Sequence, residues 1–250
     1  GSQALIQWLP RLRAACRVTV VTPTYGEHAP AWQAAGHEVI ETATLPEASD
    51  CDVAVLTRPN NPDGALAAAG DLTALAAALA DKGGMLVVDE AFADVAGGPS
   101  VAADIPAGCV ALRSFGKFYG LAGLRLGFAI SDPDTASRLT AALGPWPVSS
   151  LAAEIGAAAL SDAGWQADTR QWLNRAASRL DGLLSEAGFD IVGGTDLFRL
   201  AASDAAPAVH DRLGRAGIYT RRFPDNARWL RFGLPGDARD WDRLEKALRP

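Results

Sequence analysis

The first half of the chain alternates short apolar runs with longer runs rich in Ala and Leu. Residues 18–21, 39–40, 53–56, 85–88, 110–112 and 126–130 read as strands, several of them apolar throughout. Continuous apolar strands separated by helical stretches predict a parallel sheet covered on both faces. Residues 27–35 read as a helix closed by Gly36, and an Ala/Leu-rich helix is expected to start at a cap on Asp71 and to end at Gly83-Gly84. The second half changes character. Helices are expected over 149–160, 165–187, 207–216 and 240–248, with short strands near 190–192, 198–200, 218–220 and 229–232. The pattern predicts a large α/β domain over 1–147, followed by connecting helices and a smaller α+β domain over 148–250.

Unusual polar residues gather where the strands end. Pro23-Thr24-Tyr25-Gly26 follows the first strand, and Arg58-Pro59-Asn60-Asn61-Pro62-Asp63-Gly64 follows the run 53–56. Asp89-Glu90-Ala91-Phe92 follows 85–88, and Ser114-Phe115-Gly116-Lys117 follows 110–112. Open α/β sheets bind ligands beyond the carboxyl ends of their strands. Four strands therefore deliver an aromatic ring, an amide, a carboxylate and a lysine to one rim. That set meets the needs of pyridoxal phosphate (PLP): a lysine for the imine, an acid to keep the pyridine nitrogen protonated, a flat face for the ring, a donor to the phenolic oxygen and a cradle for the phosphate.

Composition narrows the picture. With 250 residues, 49% of them hydrophobic, the chain can bury a substantial core. A net charge of −6 and the lack of a basic stripe argue against nucleic-acid partners. No run is long and apolar enough to span a bilayer, and no charged-then-apolar signal peptide opens the chain, so no membrane partner is expected. Cys16, Cys51 and Cys109 form neither a CxxC nor a metal pattern, which suits a reducing cytoplasm. The only lysines are Lys82, Lys117 and Lys246, so lysine-dependent chemistry has few candidates.

Each short motif alone has a bland reading. Asn-Pro-x-Gly is a turn signature, an Asp after a strand is often a cap, and a lysine in a Gly/aromatic loop is often a solvated charge. Together, Asn61-Pro62-x-Gly64, Asp89-Glu90-Ala91 and Ser114-x-x-Lys117 followed by Arg125 resemble, in order and spacing, the signatures of the fold-type I, class I/II aminotransferase family. The opening Gly1-Ser2-Gln3-Ala4 resembles that family's phosphate loop at a helix N-terminus. The resemblance implies a PLP-dependent transferase fold and a role for each matching position. Lys117 would carry the cofactor, Asp89 would pair with the pyridine nitrogen, and Tyr25 would stack on the ring. Asn61 would donate to the phenolic oxygen, and Ser2, Gln3, Ser114 and Arg125 would hold the phosphate. Phe92 stands where many relatives have Tyr, and Gly116 where many have a hydroxyl residue.

Within the family, the stretches Pro-Thr-Tyr-Gly-Glu-His, Asp-Glu-Ala-Phe and Ser-Phe-Gly-Lys-Phe-Tyr-Gly-Leu-Ala-Gly-Leu-Arg-Leu-Gly are most similar to the threonine-phosphate decarboxylases of cobalamin biosynthesis. That resemblance implies a small phosphorylated amino acid as substrate, L-threonine O-3-phosphate, and (R)-1-amino-2-propanol O-2-phosphate as product. Arg231 resembles the family's substrate-anion arginine and Arg221 the extra arginine of its phosphate-substrate branch; Asn61 would also face substrate. Arg222 is expected on the opposite face of its strand. A histidinol-phosphate-type aminotransferase is the alternative, and an inactive fragment or a PLP-fold regulatory domain a further one. The family also implies a homodimer and an N-terminal segment ahead of the phosphate loop, which this chain is expected to lack.

Overall fold

The computed structural model describes residues 1–98 and 100–249. They form two compact units, one of Gly1–Asn61 with Leu66–Ala163, the other of Pro62–Ala65 with Gly164–Pro250. The first contains α1 (Ser2–Trp8), β1 (Arg17–Val21), α2 (His28–Ala34), β2 (Glu38–Thr42), β3 (Val53–Thr57), α3 (Ala69–Ala80), β4 (Met85–Asp89), α4 (Ala93–Ala96), β5 (Cys109–Ser114), β6 (Gly127–Ile130), α5 (Pro133–Leu143) and α6 (Ser150–Ser161).

The sheet order is β2-β1-β3-β4-β5-β6. All neighbouring pairs are parallel except β5–β6. Because strand side chains alternate, β3 splits its apolar run between two cores. Val53 and Val55 join Leu5, Ile6, Trp32 and Leu139 of α1, α2 and α5 on one face. Ala54 and Leu56 join Leu72, Ala76 and Leu79 of α3 on the other. The continuous hydrophobicity of β3 and β4 follows from this double cover. The chain leaves β1 for β2 on one side and returns to β3 on the other, so a crevice opens at the carboxyl ends of β1 and β3.

The second unit carries most of α7 (Ala163–Glu186), then β7 (Asp190–Thr195), β8 (Phe198–Ala202), α8 (Ala206–Arg215), β9 (Arg221–Phe223), β10 (Asn226–Gly233) and α9 (Ala238–Leu248). Its antiparallel sheet, in order β7-β8-β10-β9, packs Leu200-flanking Ala201, Leu230 and Phe232 against Leu180, Leu213 and Leu244 of the three helices. The stretch Pro62–Ala65 clusters with this unit. Gly64 is in the left-handed region at φ +74°, and a Cβ there would fall 1.8 Å from the Gly194 carbonyl oxygen. Both facts demand glycine in the Asn-Pro-x-Gly turn.

Several expected details differ. The N-cap of α3 is Ala68, and Asp71 lies inside the first turn, where its charge still suits the helix N-terminus. The residues 218–220 are not a strand; pairing begins at Arg221, opposite Arg231. Helix α5, absent from the expected elements, carries a readable start signal: Asp132 accepts from the Thr135 amide at 2.9 Å, and Pro133 opens the helix. The connecting helices are shared out, α6 in the first unit and nearly all of α7 in the second. Among the described residues, no helix is long and apolar enough to cross a membrane.

Candidate active site

A cavity of about 170 Å³ lies in the first unit, at the carboxyl ends of β1, β3, β4 and β5. Its walls include Ser2, Gln3, Tyr25, Asn61, Asp89, Ser114, Lys117 and Arg125, residues drawn from five separate parts of the sequence. Thr57, Ala91, Phe92 and Gly116 complete much of the remaining lining.

Asp89 ends β4 and is 3% exposed. Its Oδ2 lies 2.9 Å from Nε2 of His28, which is 1% exposed, and its Oδ1 accepts from the Ala91 amide at 3.0 Å. An ionised carboxylate has about four acceptor positions, so both oxygens retain lone pairs for a further donor. His28 is not among the residues expected at the site. Its signal was there: a histidine three residues after Tyr25, in the first turn of a helix facing the strand ends. Tyr25 and His28 meet edge to face with ring centroids 5.9 Å apart.

Gln3 holds Tyr25 in turn. Its Oε1 accepts from the Tyr25 hydroxyl at 3.2 Å, and its Nε2 donates to Glu27 at 3.3 Å. Thr24 bonds to Thr57 at 2.8 Å and to Asn60 at 2.9 Å, and Asn60 donates to the Pro23 carbonyl at 2.8 Å. These bonds tie the loop after β1 to the loop after β3, which carries Asn61. The Nζ of Lys117 stands 5.3 Å from the centre of the Phe92 ring. At that distance a cation interacts favourably with the ring face.

One end of the cavity is built around α1 and β6. A Cβ on Gly127 would fall 2.5 Å from the Ser2 nitrogen and 2.9 Å from the Arg113 oxygen, so only glycine lets α1 start against β6. The Gly1 nitrogen donates to the Arg125 carbonyl at 2.7 Å. Arg125 itself has φ +54°, uncommon for a residue with a side chain. Its guanidinium donates to the Ala122 carbonyl at 2.9 Å. The Ser114 hydroxyl accepts from the Gly116 amide at 3.2 Å, and a Cβ on Gly116 would make only ordinary contacts, the nearest at 3.5 Å. Packing therefore leaves room for a larger residue at Gly116.

In the second unit, Arg231 of β10 and Arg221 of β9 are directly paired across the antiparallel ladder. Residues so paired share a face, which puts two guanidinium groups side by side. Arg231 lies over the Phe198 ring at 5.1 Å and Arg221 over Phe223 at 5.6 Å. Burial first, and the neighbouring Arg221 second, hold Arg231 below its ordinary pKa. Arg222 pairs with Leu230 and is exposed, on the opposite side of the strand from Arg221.

Residues 1–248 match the protein family described as aminotransferase class I and II. The chain is 44% identical over 252 aligned positions to a threonine-phosphate decarboxylase of Pseudomonas aeruginosa, covering 99% of this chain and 76% of that protein. It is 41% identical to a threonine-phosphate decarboxylase of Sinorhizobium sp, covering 99% of this chain and 75% of the relative. The fold also matches the crystal structure of a histidinol-phosphate aminotransferase from Clostridium acetobutylicum, with a TM-score of 0.89 at 20% identity over 99% of this chain and 80% of that one. The chain belongs to the class I and II aminotransferase family.

Proposed function

We propose that this chain is a PLP-dependent decarboxylase that converts L-threonine O-3-phosphate into (R)-1-amino-2-propanol O-2-phosphate and CO₂, a step of cobalamin biosynthesis. The observation that carries the reading is the meeting of Lys117 and a buried, histidine-backed Asp89 in one cavity of a chain 41–44% identical to named threonine-phosphate decarboxylases.

The donor set fits the cofactor. Lys117 supplies an amine for its aldehyde carbon. Asp89, held by His28 and the Ala91 amide, would offer an acceptor to a protonated ring nitrogen. Tyr25 gives a flat wall, Asn61 a donor for the phenolic oxygen, and Ser2, Ser114 and Arg125 are hydroxyl and guanidinium donors for a phosphate. Gln3 is assigned to the phosphate end as well, and its bond to Tyr25 adds the task of fixing that ring. When bound, PLP supplies an electron sink for the bond broken at the substrate's Cα.

The protein's own groups do the rest. Arg221 and Arg231 take the carboxylate and phosphate of the substrate, since guanidinium forks bind both bidentately. By gripping two anions they fix the torsion about Cα, and orientation decides which bond breaks: the one to the carboxylate gives decarboxylation, the one to hydrogen gives transamination. Lys117 is the amine that would hold the cofactor and that would return a proton to Cα. The working form is proposed to be a cytoplasmic homodimer.

The test is to mix PLP-loaded protein with L-threonine O-3-phosphate and no keto acid, and to identify the products by mass. Aminopropanol phosphate and CO₂, with PLP recovered unchanged, support the reading. Pyridoxamine phosphate and a keto product would replace it with an aminotransferase.

A further inference from the structure

A buried ion group lies on the side of the strand ends turned away from the cavity. Successive strand residues point to opposite faces, so Asp89 turns towards His28 while Glu90 turns the other way. The backbone ladder continues through both: the Arg58 amide donates to the Asp89 carbonyl and the Glu90 amide to the Leu112 carbonyl, each at 2.8 Å. The Glu90 carboxylate is completely buried. Its Oε1 accepts from the Val101 amide at 3.0 Å and lies 3.6 Å from Nη1 of Arg58. Its Oε2 accepts from the Ser100 hydroxyl and lies 3.6 Å from Nη1 of Arg113. Arg113 also pairs with Asp94, and Nε of Arg58 donates to the Ala67 carbonyl at 2.9 Å.

Stability alone does not account for such a group. Desolvating each ion costs several kcal/mol, and well-packed apolar replacements are often neutral or better. Hydrogen bonds to a buried carboxylate add direction, which apolar packing lacks: Ser100 and the Val101 amide donate to Glu90, and Nη1 of Arg113 donates to the same Ser100 hydroxyl at 3.0 Å. The members are placed where direction matters. Glu90 immediately follows Asp89. Arg58 stands three residues before Asn61, and Arg113 stands one before Ser114 and four before Lys117.

We propose that Glu90 is a positioning residue: its carboxylate, shared between Arg58 and Arg113, sets the spacing of the ends of β3, β4 and β5 and so the placement of Asn61, Asp89 and Lys117 towards the cofactor. The proposal rests on the PLP reading given above.

The experiment compares the full chain with two variants. Glu90→Gln keeps the shape and removes the charge. Asp181→Asn disturbs a different ion pair, with Arg199 at 2.7 Å in the second unit, and serves as a stability control. Each is titrated with PLP by visible absorbance for its dissociation constant, the pH midpoint of the visible band is recorded, and thermal unfolding is followed in parallel. The expected result is a dissociation constant weakened about ten-fold or more in Glu90→Gln, the scale on which groups behind a site's ligands act, with a displaced pH midpoint, while Asp181→Asn at comparable thermal loss changes neither. Unchanged binding and midpoint in a destabilised Glu90→Gln would overturn the proposal, as would equal weakening in both variants. If Glu90→Gln does not fold, Arg113→Lys, which keeps the charge and loses the fork, is compared in the same way. A wild-type chain that does not bind PLP would instead remove the cofactor reading, and this proposal with it.

Discussion

Nε2 of His28 and Oδ2 of Asp89 are 2.9 Å apart, and both side chains are almost wholly buried. The pair joins the first turn of α2 to the end of β4 at the cavity wall. Replacing His28 by Phe removes the donor and leaves a buried carboxylate one partner short. The loss is expected at about 1–3 kcal/mol in urea unfolding, together with weaker PLP binding. Unchanged binding would separate His28 from the cofactor site.

Gly127 makes a steric prediction. In Gly127→Ala the new methyl meets two backbone atoms that cannot easily move, the Ser2 nitrogen at 2.5 Å and the Arg113 oxygen at 2.9 Å. Destabilisation of about 1–3 kcal/mol is expected, the usual cost of overpacking. Gly123→Ala, where a Cβ meets nothing within 4 Å, is the matched control and should be close to neutral. Denaturant midpoints of the two variants decide.

The arginine pair predicts a trade between stability and function. Like charges directly opposite on a ladder are destabilising, by roughly 0.2–1 kcal/mol for a cross-strand pair. Arg221→Gln should therefore unfold at slightly higher denaturant while raising KM for L-threonine O-3-phosphate by about ten-fold or more, as expected for a charged hydrogen bond of about 1.5–3 kcal/mol. A variant with unchanged KM would remove Arg221 from substrate binding.

Cys109 makes a pH prediction. Burial first, and Glu90 second, push its thiol from the model-peptide range up to about 12. A raised folded-state value contributes stability that is fully present below the unfolded thiol's pKa, about 8.5, and is lost as pH rises through the folded one. Unfolding free energy should therefore fall between roughly pH 9 and 12, and Cys109→Ala should flatten part of that decline. A thiol reagent at pH 8 should spare Cys109 and the buried Cys51 in the folded chain and modify all three cysteines after denaturation.

The sheet was legible because its strands are apolar throughout and stop abruptly at Pro, Asn and Asp. The cavity was legible for the same reason: Tyr25, Asn61, Asp89 and Lys117 each follow such a run. What escaped was set by tertiary contact. His28 has only its spacing from Tyr25 as a local signal and Glu90 has none, and only the fold shows that one faces Asp89 and the other faces two arginines. Helix α5 escaped although Asp132-Pro133 announces it, and the pairing of Arg221 with Arg231 depended on where β9 begins, which apolar content at 218–220 misplaced by three residues.

The most direct test of the central assignment is borohydride reduction of the PLP-loaded chain, followed by digestion and mass mapping of the pyridoxyl group. The account predicts one labelled lysine, Lys117, and a Lys117→Ala variant without label or visible band. Label on Lys82 or Lys246, or a band that persists in Lys117→Ala, would contradict it.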